Sequence, residues 1–338
     1  MISKISRYIK YILLFGVLIG IAINVYLWGN EFVRANKEKE FTQITERADK
    51  LVATNSKECL KEAKKVYEEG LGRIGQNNVF GAILKSKIAF TNYELGDDSK
   101  AIESYKEAID IYEKLNGDEI NKKKVDALYI LGALLNGDFR EVEDGEEGRV
   151  YLKRALNESR AMKDTKREIK VLDALGDAYY RWKGFEASLK YDYELLGICE
   201  KAGDVAGQSK ALVKIGWDYF NIYSYNTNKA FIYKKSFDYF KQAVEVAKTS
   251  KSKEAEVVAL VNTGTFLTHI GDEEGSNQYY HDAEEMSKSD NELKRIVYRS
   301  LIEKYEFLKD EKEQARYKTV YKELETELEK INCLAIGK

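Results

Sequence analysis

Proline is absent from all 338 residues. Average usage would supply about 17, so proline-rich linkers, proline kinks and proline-started helices are excluded, leaving glycine and polar turns as the breaks between helices. Cysteine is scarce too. Cys59, Cys199 and Cys333 are odd in number and far apart, which removes a disulfide framework and a paired-thiolate zinc site. The two histidines, His269 and His281, cannot form a zinc pair one helical turn apart, and no Ser, His and Asp set is arranged for hydrolysis. The expectation is no metal, no cofactor and no catalysis. Charge of one sign is also missing: 55 Lys and Arg face 57 Asp and Glu. No net field is available to hold nucleic acid by counterion release.

With 44% hydrophobic and 33% charged residues, the chain can bury a sizeable core and form helices with one solvated face. Uncharged stretches are short except for one. Tyr11 to Asn30, YILLFGVLIGIAINVYLWGN, carries no charge over twenty residues, about the 30 Å of a bilayer's hydrocarbon core when helical. Tyr8, Tyr11, Tyr26 and Trp28 fall at the two interfaces. The pattern predicts a single transmembrane helix after a short basic segment, 1–10. Lys and Arg are equal on its two sides, and the free amine and Lys10 tip the positive-inside rule toward a cytoplasmic N-terminus and an extracytoplasmic remainder. Gly20-Ile21-Ala22 offers small residues for signal cleavage, but Ile23 to Trp28 stays apolar where a processed signal turns polar, so an uncleaved anchor is expected.

The rest reads as helices in pairs. Between Ile169 and Gln208, Leu172, Leu175, Gly176 and Tyr179 share one helical face and Ala187, Tyr191 and Leu195 another, with a Lys183-Gly184 break between. Gly176 and Ala187 would admit close approach of the two backbones, with Tyr179 and Tyr191 filling the remaining wedges. One such hairpin leaves an apolar flank, and stacked copies bury it. These residues resemble the tetratricopeptide repeat (TPR), and the tail from Lys201 to Gln208 is similar to the longer, roughly 40-residue form of kinesin light chains.

Further units follow the same pattern. One has Ile88, Ala89, the Gly96-Asp97 turn, Ala101, Tyr105 and Ala108; the next has Leu128, Leu131, Gly132, Leu152 and Ala155. After the Ile169 unit come Leu212, Ile215, Gly216, Tyr219 and Phe240, then Leu260, Gly264, Leu267, Tyr280 and Ala283. The small residues Ala89, Gly132, Gly176, Gly216 and Gly264 are 43, 44, 40 and 48 apart. The predicted layout is an anchor at 11–30, a charged linker helix and degenerate first hairpin at 31–78, five repeats at 79–290 and capping helices at 291–338. The predicted fold is all-α, and the resemblance implies a right-handed superhelical solenoid.

Three motifs are read as incidental. Gly70-Leu71-Gly72-Arg73-Ile74-Gly75 has the letters of a dinucleotide fingerprint but ends a predicted helix with no strand before it. The acidic run Glu141 to Glu147 lacks the alternating ligands of a calcium loop, and Asn157-Glu158-Ser159 falls in a predicted helix.

The resemblance implies that first helices line a concave groove for a protein or peptide partner. By the family's pattern its positions are Lys87, Phe90, Tyr93, Tyr129, Asn136, Lys170, Asp173, Asp177, Tyr180, Arg181, Lys210, Lys214, Trp217, Phe220, Asn221, Asn262 and His269. The Lys and Asn pair by which some members hold a C-terminal carboxylate is missing: Ser86 and Phe90 occupy its positions in one unit, Asp173 and Asp177 in another. The expected function is a membrane-anchored scaffold without catalysis. The alternative is a ligand- or signalling-peptide sensor coupled to a membrane complex.

Overall fold

Without proline, helix starts fall to side chains that accept backbone N–H groups. Asn78 accepts from Phe80 and Gly81, Asp97 from Lys100, Asp164 from Arg167, Ser252 from Ala255 and Asp272 from Gly275. Several ends are closed by residues in the left-handed region, among them Gly203 at φ 68°, Gly271 at φ 85° and Lys183 at φ 57°. Lys183 thus marks the break read from the sequence.

The computed structural model describes residues 31–54, 56–137, 144–223 and 229–336. The segments 1–10 and 11–30, with the expected membrane helix, lie outside the described residues. Among those described, no helix is long and apolar enough to cross a membrane, and all regular structure is helical. The helices are α1 (31–52), α2 (Lys57–Ile74), α3 (Val79–Glu94), α4 (Asp98–Glu113), α5 (Asp118–Leu135), α6 (Asp144–Ala161), α7 (Thr165–Arg181), α8 (Phe185–Ala202), α9 (Val205–Tyr223), α10 (Lys229–Thr249), α11 (Lys253–Ile270), α12 (Glu273–Ser287), α13 (Asn291–Phe307) and α14 (Glu311–Ile336). The second half of the dinucleotide-like letters ends α2, with Gly75 as its cap, and Asn157 to Ser159 lie inside α6.

Two units divide the chain, the first ending at Leu115 and the second beginning at Asn116. The first is built on Ile44, Ala48, Ala63, Val66, Tyr67, Ile74, Leu84 and Ile88, drawn from α1, α2 and α3. Phe41 and Phe80 close its edge with ring centroids 4.9 Å apart.

In the second unit consecutive helices pack as antiparallel pairs, α5 with α6, α7 with α8, α9 with α10, α11 with α12 and α13 with α14. The first members also touch in a row: α5 with α7, α7 with α9, α9 with α11 and α11 with α13. Small residues stand where pairs cross. A Cβ on Gly132 would fall 2.7 Å from Leu152 Cγ, one on Gly216 3.0 Å from Phe240 and one on Gly264 2.9 Å from Tyr280. Tyr179 and Tyr191 stack at 5.4 Å as wedge fillers. The main cluster joins Leu212, Phe240, Val257, Phe266, Tyr280, Val297 and Leu301.

One detail differs from the sequence reading. Ala187 is only partly buried, and Ser188 takes the position against Gly176, donating its hydroxyl to the Gly176 carbonyl at 3.0 Å.

Candidate functional site

The row α7, α9 and α11 carries most of the residues expected in the groove. Its helical period places Asp173, Asp177 and Tyr180 on one stripe of α7, Lys210, Lys214, Trp217 and Asn221 on one stripe of α9, and Asn262 and His269 on α11. Side chains from these stripes bond to each other across the row. Lys214 Nζ lies 3.1 Å from Asp173 Oδ1, 3.0 Å from Asp177 Oδ1 and 3.1 Å from Asp192 Oδ1, and donates to the Asp173 carbonyl at 2.6 Å. Lys210 bonds Asp173 Oδ2 at 2.6 Å. One turn along, Asn221 donates to the Tyr180 hydroxyl at 2.9 Å and to the Trp217 carbonyl at 2.8 Å. The Trp217 indole N–H donates to Asn262 Oδ1 at 2.9 Å.

Depth sorts these residues. The Lys214 side chain is only 12% exposed, whereas Asp177 is 52% and Lys210 55% exposed. Lys170, Arg181 and His269 are exposed, and Tyr180, Trp217, Phe220 and Tyr129 are half-buried. Trp217 packs against Phe240 at 5.3 Å, Phe220 at 5.8 Å and His269 at 5.8 Å. His269 is exposed on one side only: its ring meets Trp217 and Phe307, and the water excluded there lowers its imidazole below the usual range. Asn136 points inward: it is buried, and its amide donates to the Gly132 carbonyl at 2.7 Å.

Lys87, Phe90 and Tyr93 belong to α3 of the first unit. Lys87 pairs with Asp49 at 2.7 Å and stands 5.7 Å from the Tyr67 ring centre, while Phe90 and Tyr93 are exposed.

Beneath the α7 and α9 stripes lie two acids that the repeat pattern gave no reason to expect. Asp192 of α8 and Asp218 of α9 have no exposed surface. Burial pushes both carboxyls up, with the neighbouring Asp192 charge adding to the effect at Asp218. Neither Asp218 oxygen completes a hydrogen bond of ordinary geometry, although Ser188 and Asp192 stand near enough to shape its charge. A neutral Asp218 beside an ionised Asp192 is the arrangement these forces favour. Burial alone would lower the Lys214 ammonium, and Asp192, Asp173 and Asp177 together more than reverse it. Asp173 moves the other way: burial opposes its charge, and Lys214 and Lys210 hold it below the usual carboxylate range.

A further crosslink was not read from the sequence. Arg167 of α7 makes two 2.8 Å bonds to the Asp126 carboxylate of α5 and one of 2.6 Å to Asp164. Only the Asp164 half had a sequence signal, an acid three residues before an arginine on one helix; Asp126, 41 positions away, had none.

The arrangement offers opposite charges, aromatic edges and amides on one face. No group of three His, Cys, Asp or Glu that could hold a metal occurs among the described residues. Cys59 and Cys199 are free thiols.

No family model matches the chain, and no curated protein matches it. Solved structures do. RapI in its apo form is 14% identical, with a TM-score of 0.60 over 86% of this chain and 99% of that one. A Signal Transduction ATPase with Numerous Domains protein of Pyrococcus horikoshii, which has a tetratricopeptide repeat sensor, is 18% identical with a TM-score of 0.56 over 81% of this chain and 42% of that one. The TPR-like repeats of a Podosopora anserina kinesin light chain are 11% identical, with a TM-score of 0.50 over 63% of this chain and 98% of that one.

The fold is that of the tetratricopeptide-like repeat.

At these identities the likeness is one of fold, and it bears out the resemblance read from Leu172, Leu175, Gly176, Tyr179, Ala187 and Tyr191. In this TPR-like chain the small first-helix residue Gly176 has a particular neighbour. A Cβ there would fall 2.0 Å from Asp192 Oδ1 and 2.8 Å from Lys214 Nζ.

Proposed function

We propose that the chain is a non-catalytic binding module that takes a protein or peptide along the face made by α7, α9 and α11. The observation that carries this reading is the pair Asp177 and Lys210. These half-exposed, opposite charges stand on neighbouring first helices, beside side chains already fixed by bonds between helices. A face that is ordered before a partner arrives loses less side-chain freedom on binding. Exposed Lys170, Arg181 and His269 extend it, and half-buried Tyr180, Trp217 and Phe220 supply aromatic edges. The uncharged run from Tyr11 to Asn30 anchors the module to a membrane, with the repeats on the extracytoplasmic side. The stacked pairs follow the right-handed superhelix of TPR arrays.

The test is capture by the intact chain with Asp177→Lys and Lys210→Glu. Because Asp177 also pairs with Lys214 and Lys210 with Asp173, the melting temperature of each variant is measured beside its capture. The reading expects the captured partner to fall at least about tenfold, the loss of one good charged contact. Unchanged capture would remove the face from the account.

The second reading is a sensor that binds a signalling peptide or small ligand and reports to a membrane complex. Its support is the titratable Asp192, Asp218 and Lys214 group directly under the same face. A ligand-dependent rise in melting temperature separates it from a constitutive scaffold.

A further inference from the structure

Away from the α7, α9 and α11 stripes, α8, α9 and α10 bring three tyrosine hydroxyls together. Tyr193 Oη lies 3.1 Å from Tyr219 Oη and 2.6 Å from Tyr239 Oη, and both contacts are open to solvent. The Tyr219 and Tyr239 rings stack at 5.3 Å and 9°, and the Tyr193 ring meets Tyr239 edge-on at 6.5 Å. Lys235, one helical turn before Tyr239, holds its ammonium 4.0 Å from the Tyr219 ring centre.

The four groups do not share charge evenly. Burial opposes ionisation at Tyr219, but the Tyr193 hydroxyl and the Lys235 ammonium favour a negative oxygen there and win, so this phenol sits below its usual range. Tyr193 moves upward, through burial and through its bonds to the other two hydroxyls. The second unit contains its own comparison. Tyr179 holds the corresponding place 40 residues earlier, stacked on Tyr191 at 5.4 Å with Lys153 Nζ 5.5 Å from its centre. No tyrosine hydroxyl pairs with the Tyr179 hydroxyl among the described residues. A cation and a stacked ring occur at both places, Tyr179 having a second cation in Arg149 at 5.4 Å, and the convergent hydroxyls belong to Tyr219.

We propose that the Tyr219 oxygen is a nucleophile and that Tyr193, Tyr219, Tyr239 and Lys235 form a covalent modification site for tetrahedral sulfonyl or phosphoryl electrophiles. The Tyr219 oxygen attacks sulfur or phosphorus, forming an O–S or O–P bond. The bond to the leaving group breaks and that group departs with the electron pair. The phenol proton passes to solvent, and no atom changes oxidation state. Lys235 and the Tyr193 hydroxyl stand beside the electrophile's own oxygens and offset the charge that builds on them. The site is separate from the proposed partner face, so its test does not depend on a partner.

The experiment treats the intact chain near neutral pH with an aryl sulfonyl fluoride and, separately, an aryl fluorophosphonate, and locates the label by peptide mass spectrometry. Labelling by either reagent is expected first at Tyr219 among the 24 tyrosines, about tenfold faster than at Tyr179. Tyr219→Phe should abolish that label. Lys235→Met should slow it about tenfold without lowering the melting temperature, and Lys235→Arg should restore most of the rate. Equal labelling of Tyr179 and Tyr219, no label from either reagent, or an unchanged rate in Lys235→Met would overturn the proposal.

Discussion

Lys214 Nζ sits 3.1 Å from Oδ1 of Asp192, a carboxylate with no exposed surface. The same ammonium reaches Asp173 and Asp177, so a single cation ties α9 to both helices of the preceding pair. Taking these charges out of water is costly, and the cluster persists because each charge has a partner of opposite sign.

Removing the cation should therefore unfold more than its size suggests. Lys214→Met leaves Asp192 and Asp173 buried without their main partner, and should cost about 3–5 kcal/mol in a denaturant titration. Asp192→Asn in the Lys214→Met background should recover part of that loss, because it removes the stranded charge. If the two changes simply add, the coupling is absent.

Glycine substitutions separate close packing from intrinsic helix preference. Gly176→Ala drives a methyl into Asp192 and Lys214 and should destabilise by about 1–3 kcal/mol. Gly197→Ala, inside α8 with nothing within 4 Å of the added carbon, should stabilise by about 0.5–1 kcal/mol. Urea midpoints of the two variants check both signs.

Asp218 gives a pH dependence with a definite direction. Its carboxyl is raised in the folded state by burial and then by Asp192, so the folded chain binds this proton more tightly than the unfolded chain. Its contribution is fully present below the ordinary carboxylate value of about 3.9 and is lost as pH climbs above it. Asp192 is raised by burial and acts with the same sign. Asp173 is lowered and acts oppositely, losing its contribution as pH falls through its folded value. Asp218→Asn, which keeps the neutral shape, should flatten the decline between mildly acid and mildly alkaline pH and melt higher than the parent on the alkaline side. A melting curve series across that range decides it.

The pairing of helices was legible because small residues recur near every 40 residues and the turns are marked by Gly-Asp or Lys-Gly. Gly176 and Gly264 fell where the pattern put them, against a following helix. Less was legible in the face itself. Stripe membership says which side of α9 Lys214 and Trp217 share, but their depth depends on partners about 20 to 45 positions away: Asp192 below Lys214, and Asn262 and Phe240 around Trp217. Asp192 left a trace, since Ser188, Asp192, Leu195 and Cys199 follow one helical face that is otherwise buried. Asn136 was assigned to the groove from its place in the repeat, and its amide turns back to the Gly132 carbonyl instead.

The uncharged run from Tyr11 to Asn30 predicts retention in membranes. In alkaline extraction of cells expressing the intact chain, the protein should stay with the membrane pellet, and deletion of residues 1–30 should release it. Release of the intact chain would end the anchor reading.

Site-directed crosslinking tests the binding face most directly. A photoreactive residue replacing Lys170, exposed on the α7 stripe, should capture one defined chain in cells, and Asp177→Lys should abolish that band. The same group replacing Glu245, an exposed position on α10, should capture nothing of that size. Equal capture from both positions, or a Lys170 band indifferent to Asp177→Lys, would contradict the account.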